Sequence, residues 1–232
     1  MKGRRKAREL ALQALYELDQ SSHALDDVLA SRVEAYYQAL ADSAADAAQR
    51  QALQLLLSLR DFRREPANPW EGLREDASAH SHLDQALDPL LLADSVDLLR
   101  RHGPMVAYGV ALVRGVSSHL QVIDAVIRKI APEWPVAQMA PVDRNLLRIA
   151  LWEMGSQAVP LRVAIHEAVE LARRYSGESA RRMVNGALGS FAKGEVSALH
   201  LPPYVDAGAA PSGEASTEGA AAASPAAAPG DG

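Results

Sequence analysis

Apolar side chains recur at helical spacing through nearly the whole of this sequence, and no convincing alternation of apolar and polar residues appears. Spacings of three and four residues place apolar side chains on one face of an α-helix, whereas a half-buried strand needs a period of two. The N-terminal segment shows this clearly, because one stripe joins Ala7, Leu10, Ala11, Ala14, Leu15 and Leu18. The sequence therefore predicts an all-α fold.

Prolines and glycines set the predicted ends of the helices. After the first helix, we predict helices from Leu25 past Tyr37, over 44–59 and over 83–101, the last ending at His102-Gly103-Pro104. A long helix from Met105 to before Pro132, a connector over 134–140 and a helix opened by Pro141 follow.

The C-terminal part of the pattern contains the clearest helix, over 159–177, with Pro160 at its start and Gly177 just past its end. Its polar stripe holds His166, Glu167, Glu170, Arg173 and Arg174, while Ala164, Ala168, Leu171, Ala172 and Tyr175 cover the other face. A last helix carries Val184, Leu188 and Phe191. Its glycines, Gly186 and Gly189, predict close backbone contact with a neighbouring helix, since glycine is otherwise unfavourable there.

Composition divides the chain into one domain, 1–204, and a tail, 205–232. The tail is rich in Ala, Gly, Ser and Pro and scattered acids, and it lacks the large apolar residues needed to offset ordering entropy, so we predict that it is disordered. The breaker-rich stretch 62–82 is predicted to be a loop or partly disordered. On either side of it, the apolar runs 53–59 and 87–99 predict two helices that dock on the body or on each other.

The absence of cysteine excludes disulfides, cysteine-ligated zinc and thiol catalysis. The basic start is not a signal peptide, because Glu9, Gln13, Glu17 and Asp19 interrupt the apolar core that one would need. No run of about 18 apolar residues is present to span a membrane. These observations favour a cytoplasmic protein.

Positive charge is concentrated at one end of a chain whose net charge is −5, since residues 2–8 hold five cations. At 100° per residue, Arg5, Arg8 and Tyr16 project to one side of the apolar stripe. Three interpretations are open: a solvated leader, an amphipathic helix on a membrane surface, or a flank that binds nucleic acid. The membrane interpretation is disfavoured, because the apolar face is rich in alanine and has no Trp or Phe.

Catalytic and cofactor motifs are scarce. The sequence has no glycine-rich phosphate loop and no GxSxG elbow, so no cofactor is predicted. His80 and His82 lack a third ligand and are interpreted as solvated residues rather than a metal site. His166 and Glu170 are spaced as a surface pair on a helix. We therefore predict a protein that is not an enzyme and has no catalytic or metal-binding residues.

Four segments together resemble the NusB family of transcription antitermination factors. They read RRKARELALQALYELD (4–19), WPVAQMAPVDRNLLRIALWEM (134–154), VPLRVAIHEAVELARRYSGE (159–178) and MVNGAL (183–188), in family order and spacing. The resemblance implies an all-helical fold of two small bundles. It also implies an adaptor that binds boxA-like single-stranded RNA together with the ribosomal protein NusE, in an RNA polymerase antitermination complex acting on ribosomal RNA operons.

The resemblance also implies site residues. Those implied to face RNA are Arg4, Arg5, Lys6, Arg8 and Tyr16 in the first helix and Glu178, Ser179, Arg182 and Met183 around the start of the last helix. Asp143 and Arg144 fall at the implied NusE contact, although a carboxylate at Asp143 is equally explained by its place in the first turn of a helix.

Three features depart from the family pattern. Ser179 replaces an aspartate common in relatives, and Met183 replaces a phenylalanine, which removes a ring that could stack on a base. The stretch 42–103, between the second and third core helices, is much longer than in relatives. No family function is attached to this insert or to the acidic tail.

Two alternative functions follow from the same residues. One is a helical interaction module without RNA binding, including self-association as a homodimer. The other is a detached relative of the NusB-like domain of ribosomal RNA cytosine methyltransferases, which is disfavoured because the catalytic cysteines and the cofactor-binding domain are missing.

Overall fold

A computed structural model describes residues 2–70, 88–194, 199 and 201–203. Within them lie eight α-helices and a 3-10 helix, and no strand. The helices are α1 Lys2–Gln20, α2 Leu25–Asp42, α3 Ala47–Ser58, α4 Pro89–Ser118, α5 Leu120–Ile130, α6 Pro141–Gly155, α7 Leu161–Tyr175 and α8 Glu178–Ala192, with the 3-10 helix over Val136–Gln138. The predicted all-α fold is confirmed.

The helices pack as two groups, which confirms the predicted pair of bundles. In the first, α1 packs on α2 and α4, and α3 packs on α2 and α4. In the second, α6 packs on α5, α7 and α8, and α8 also contacts α5 and α7. Helix α6 joins the two, because it contacts both α1 and α4. The apolar stripe of α1 lies in this core, with Ala7, Ala11 and Ala14 fully buried.

Side chains and prolines at the helix starts explain several boundaries. Asp46 accepts a hydrogen bond from the N–H of Ala48 at 3.1 Å, and Asp88 accepts one from Leu90 at 2.8 Å, so each supplies a partner for an N–H that has none within its helix. Pro141 opens α6 as predicted. Gly177, with φ +148°, makes the turn from α7 to α8 in a region of backbone space that side chains disfavour.

Helix α4 contradicts the predicted end at His102-Gly103-Pro104, because Pro104 lies inside a continuous helix of 30 residues, Pro89–Ser118. A proline inside a helix costs about 3 kcal/mol. The buried stripe keeps its phase on both sides of it, and burial of each large apolar side chain contributes about 1.5–3 kcal/mol, so packing outweighs the local cost. This stripe includes the buried positions Leu92, Val96, Leu99, Gly103, Val106, Val110 and Val113.

The prediction of one long helix over 105–131 is also wrong, since α4 ends and α5 begins on either side of His119. Helices α4 and α5 meet there at 79°. The ring Nδ1 of His119 lies 2.9 Å from the carbonyl oxygen of Gly115, an arrangement in which the ring competes with the backbone for the end of α4. Among the described residues no single helix is long and apolar enough to cross a membrane, and only this bent pair meets those criteria jointly.

The insert is partly folded into the first bundle. Helix α3 buries Leu53, Leu56 and Leu57, and the start of α4 buries Leu92 and Leu99, which confirms that both apolar runs dock on the body. The second run is the first part of α4 rather than a separate helix.

The predicted loop after α3 is irregular over 62–70, but its aromatic rings are buried. Trp70 is fully buried, and its ring meets that of Tyr37 edge-on with centroids 5.2 Å apart, while Phe62 contacts both rings with centroids 6.1 Å away. This packing argues against disorder over 62–70. The rest of the predicted loop, 71–82, and the predicted disordered tail, 205–232, lie outside the described residues.

Glycines that allow close helix packing lie in α4, not in α8 as predicted. A Cβ added at Gly186 or Gly189 would meet nothing within 4 Å. By contrast, one added at Gly109 would lie 3.1 Å from the carbonyl oxygen of Ala7, and one at Gly115 only 2.1 Å from Nε1 of Trp152. The prediction for α8 was wrong because the spacing of residues in the sequence does not show which neighbouring helix faces a glycine.

Candidate nucleic-acid interface

The basic start of α1 is held against acidic side chains of the second bundle. Arg8 is only 2% exposed, and its Nε donates to both carboxylate oxygens of Glu153 at 3.0 Å. Tyr108 donates its hydroxyl to the same carboxylate, and burial together with that carboxylate raises the pKa of Tyr108. The guanidinium of Arg4 lies over the Tyr108 ring, 3.8 Å from its centroid. We call Arg4, Arg8, Tyr108 and Glu153 the Arg8 network.

The Arg8 network corrects one predicted site residue. The sequence predicts Arg8 on an exposed flank for RNA contact, but its side chain is enclosed by residues of α4, α6 and α7, while Arg5 and Tyr16 of the same flank stay partly exposed. Burial of a cation costs several kcal/mol unless a charge partner and hydrogen bonds compensate it, and Glu153 provides both. Arg8 therefore joins α1 to α6 rather than presenting charge at the surface.

Arg5 binds the second bundle in the same way, but closer to solvent. Its Nε and Nη2 donate to the two carboxylate oxygens of Glu167 at 2.9 and 2.8 Å, a bidentate pair. The hydrogen bond from Arg5 lowers the pKa of Glu167 below its ordinary value of 4.5. Glu167, predicted on the exposed polar stripe of α7, is therefore buried against α1.

The lowered pKa of Glu167 predicts how acid acts on the fold. Because the folded state favours the ionised carboxylate, the pair adds stability above pH 4.5, and that stability is lost as the pH falls through the lowered pKa. Glu167→Gln should therefore reduce stability at neutral pH and flatten the acid limb of a plot of urea midpoint against pH. Glu170→Gln, which removes the surface pair with Arg173 on the same helix, is the control. An unchanged acid limb in Glu167→Gln would contradict the assignment.

The exposed face of α1 lies beside the end of α7. Tyr16 is 44% exposed and follows Glu9 by seven residues, which is two turns on the same face. Glu9 accepts a hydrogen bond from Arg174 at 2.7 Å, so this face and the exposed Tyr175 of α7 are adjacent. Lys6 is exposed beside Glu9, in a groove of about 260 Å³ that α1 and α2 line together. The sequence did not single out Arg174 or Tyr175 as site residues.

The C-terminal end of α1 is bound to α6 by a second polar cluster. Arg144 donates to Asp19 at 2.8 Å, and Asn145 donates to the same oxygen at 2.9 Å. Arg148 contacts both Asp19 and Asp124. Arg144, predicted at a protein contact, is thus engaged within the chain and largely buried.

A cleft of about 380 Å³ opens between the connector before α6 and the turn from α7 to α8. We call it the α8 cleft. It brings together residues predicted for two separate partners, since its lining includes Asp143 as well as Glu178, Ser179 and Met183. Trp134, which the sequence placed only in a connector, forms another wall and is 48% exposed. Arg182 is exposed in an adjoining groove that shares Trp134 and Met183.

Comparison with known proteins gives a family that fits this architecture. The model of the NusB family matches residues 74–193, more than half of the chain. The chain belongs to the NusB family. This confirms the resemblance on which the expected site residues depend.

Individual relatives of this NusB-family chain are named transcription antitermination protein NusB. That of Roseiflexus sp. (strain RS-1) is 32% identical over 190 residues, covering 81% of this chain and 89% of the relative. That of Trichormus variabilis is 33% identical over 192 residues, covering 78% and 90%. For Anaeromyxobacter dehalogenans (strain 2CP-1) the identity is 42% over 92 residues, which span 61% of the relative.

A solved structure of T. maritima NusB is also similar, at 22% identity and a TM-score of 0.44, covering 82% of this chain and 91% of that one. The family assignment rests on the sequence matches alone.

Within residues 2–70 and 88–194 no group of three His, Cys, Asp or Glu side chains could hold a metal ion. His80 and His82 lie outside the described residues.

Proposed function

We propose that this NusB-family protein is a cytoplasmic transcription antitermination factor. It binds boxA-type single-stranded RNA together with the ribosomal protein NusE, and so supports processive transcription of ribosomal RNA operons by RNA polymerase. It acts as an adaptor, not as an enzyme, and needs no cofactor. The names of its relatives support antitermination, and the surface described above supports RNA as the ligand.

One observation carries the proposal: exposed cations and exposed rings lie along α1, at the end of α7 and at the start of α8. Single-stranded RNA is bound by cations that neutralise phosphates and by aromatic rings that stack on bases. Here Lys6, Arg174 and Arg182 supply the charge, and Tyr16 and Tyr175 supply the rings.

The predicted RNA residues divide into two roles in this proposal. Lys6, Tyr16 and Arg182 contact the RNA, and so do the cleft residues Glu178, Ser179 and Met183. Arg4, Arg5 and Arg8 hold α1 in place for that contact, although Arg5 is 41% exposed and can also reach a phosphate.

The NusE contact is proposed at Asp143 and Arg144, at the start of α6. Arg144 would contribute through its fixed position against Asp19, and Asp143 through its carboxylate.

Self-association as a homodimer stays a prediction, and sedimentation of the protein with and without RNA tests it.

The test replaces two exposed cations and measures RNA binding against salt. For single strands, the slope of log K against log salt becomes shallower by about 0.7 for each phosphate that a side chain no longer neutralises. Lys6→Ala with Arg182→Ala should therefore weaken binding of boxA-like RNA and flatten the slope by about 1.4. The measurement is a salt titration of affinity for the full chain, with and without NusE.

A matched control removes the same charge elsewhere. Arg63 and Arg114 are exposed and pair with Asp27 and Asp26 near the start of α2. Replacing both by alanine should leave the slope unchanged. Equal slopes for the two double variants would contradict the proposed surface.

A further inference from the structure

The chain continues past the last helix and returns to the end of α6. The family match stops at residue 193, but Leu199 is only 7% exposed and lies against Gly155, where an added Cβ would meet its Cγ at 3.0 Å. The backbone N–H of Leu201 faces the carbonyl oxygen of Gly155, 3.4 Å from N to O. The tail, 205–232, therefore begins close to the C-terminal end of α6, two residues after the described Pro203.

The basic start of α1 lies at the same end of α6, because the two helices are antiparallel. Asp19, near the end of α1, binds Arg144 at the start of α6. Arg8, near the start of α1, binds Glu153 near the end of α6. Glu153 and Gly155 are about 200° apart around the helix, so Arg8 and the returning chain lie on opposite sides of it. They are separated by about one helix diameter, 10–12 Å.

The tail and the start of α1 carry opposite charges. The tail has no basic residue, and four of the five net negative charges of the chain come from its acids, Asp206, Glu214, Glu218 and Asp231. Residues 2–8 hold five cations, of which the buried acids Glu153 and Glu167 balance two. Lys6 is exposed there, and so is Arg162 at the start of α7. An excess of positive charge therefore lies where the acidic tail begins.

The tail is also long enough to cover this region. A chain extends by at most about 3.3–3.6 Å per residue. Asp206 is three residues beyond Pro203 and Glu218 is fifteen, so they can reach about 10 and 50 Å from it. Because a short tether gives an effective concentration on the order of millimolar, contacts too weak for a separate peptide are sufficient here.

We propose that the acidic tail folds back onto the basic start of α1 and competes with RNA for it. Glu214 and Glu218 face the exposed Lys6, and RNA phosphates must displace them. The inference rests on the RNA-binding function proposed above and adds a regulation within the chain. The tail raises the affinity that an RNA must have, so RNA held only by phosphate contacts stays unbound at concentrations where RNA with base contacts binds.

The contact can be observed directly, without RNA. The sequence contains no cysteine, so Ser216→Cys in the full chain carries a single nitroxide spin label between Glu214 and Glu218. Relative to the reduced label, we expect broadening of the amide NMR signals of residues 4–9 at low salt. The signals of α5 should stay sharp, because Arg148 joins α5 to Asp19 at the other end of α1. At about 1 M salt the Debye length is about 3 Å, so the broadening should disappear, as it should when boxA-like RNA is added.

Neutralising the tail should strengthen RNA binding. The neutral-tail variant carries Asp206→Asn, Glu214→Gln, Glu218→Gln and Asp231→Asn in the full chain. Exposed charge pairs are weak, so we expect the affinity for boxA-like RNA to rise by about three- to tenfold at low salt. Its salt dependence should steepen, because RNA no longer displaces the tail, and the affinities of the two proteins should converge near 1 M salt. A matched control, with unchanged affinity, alters as many tail residues but no charge: Ser212→Ala, Ser216→Ala, Thr217→Ala and Ser224→Ala.

Two backgrounds locate the tail on the surface. Lys6 lies at the end of α6 where the tail begins, whereas Arg182 lies near the start of α6, since its groove shares Trp134 and Met183 with the α8 cleft. The gain from neutralising the tail should shrink to less than about twofold in Lys6→Ala and persist in Arg182→Ala. Equal gains in the two backgrounds would mean that the tail acts through net charge alone, which would overturn the inference.

Three other results would overturn the inference, and they are distinguishable. Unbroadened signals of residues 4–9 in the labelled protein would remove the contact. Broadening there, with unchanged affinity in the neutral-tail variant, would remove the competition. If no variant bound boxA-like RNA, the proposed function would fail and the competition with it, while the spin label would still show whether the tail contacts α1.

Discussion

Replacing Arg8 by alanine is expected to destabilise the fold by about 3–5 kcal/mol, because it leaves the buried carboxylate of Glu153 without its cation. Glu153 is 1% exposed, so water cannot take the place of the guanidinium. The change should appear as a large fall in the midpoint of urea unfolding. The urea midpoint of Arg8→Lys should lie between those of the unaltered protein and Arg8→Ala, since an ammonium keeps the charge but loses the planar pair of N–H donors.

A surface pair gives the comparison for this effect. Arg63 and Asp27 lie 3.2 Å apart and are both exposed, so Arg63→Ala should cost less than about 1 kcal/mol. In a double-mutant cycle, Arg8→Ala and Glu153→Ala together should cost clearly less than the sum of the single changes. If Arg8→Ala cost no more than Arg63→Ala, the Arg8 network would not hold α1 in the bundle.

The Arg8 network also decides how experiments on RNA binding are interpreted. An alanine scan across the opening cations would treat Arg8 as one more phosphate contact. Its removal would instead loosen the start of α1 from α6 and so displace Lys6, while Asp19 still binds the other end of α1 to α6. A fall in RNA affinity in Arg8→Ala should therefore accompany a fall in stability, whereas Lys6→Ala should weaken binding with stability unchanged.

This distinction marks where sequence reasoning succeeded and where it could not. The period of apolar residues predicted the α1 stripe, because burial of that stripe depends only on spacing along one helix. The same period could not show that Arg8 and Glu167 are buried, because each lies next to the apolar stripe of its helix and not within it. Whether a residue in such a position is exposed depends on which other helix packs against it. The acids that pair with the opening cations are about 145 and 162 residues away in the sequence.

Long-range packing also decides where helices end, which the sequence could not show. Pro104 is a strong local signal that the long-range packing of α4 overrides, and His119 is a weak local signal at which the chain bends by 79°. In the candidate site, resemblance identified Tyr16 and the residues at the start of α8. Trp134 belongs to a matching motif but was not singled out, because only the fold shows that it faces Met183 and Asp143 across a cleft.

Gly115→Ala is expected to destabilise the protein, although alanine is the better helix former by about 1 kcal/mol. The added Cβ would lie 2.1 Å from Nε1 of Trp152 and 2.2 Å from Cε2 of the same ring. Because the indole is rigid and buried in α6, the two helices must separate or the ring must turn. Overpacking of this kind costs about 1–3 kcal/mol, more than the gain in helix propensity at the upper end of that range.

Gly186→Ala should instead stabilise the protein, so the two glycine substitutions are expected to change the free energy of unfolding in opposite directions. Gly186 is exposed in α8, and an added Cβ would meet nothing within 4 Å, so only the gain of about 0.5–1 kcal/mol in propensity remains. Urea unfolding of both variants measures the two effects under one condition. A stabilised Gly115→Ala would mean that α4 and α6 do not approach as closely as described. A destabilised Gly186→Ala would restore the interpretation that a helix packs against this face of α8. The bundle interface at Trp152 thus depends on a missing methyl group, just as the position of α1 depends on a buried charge.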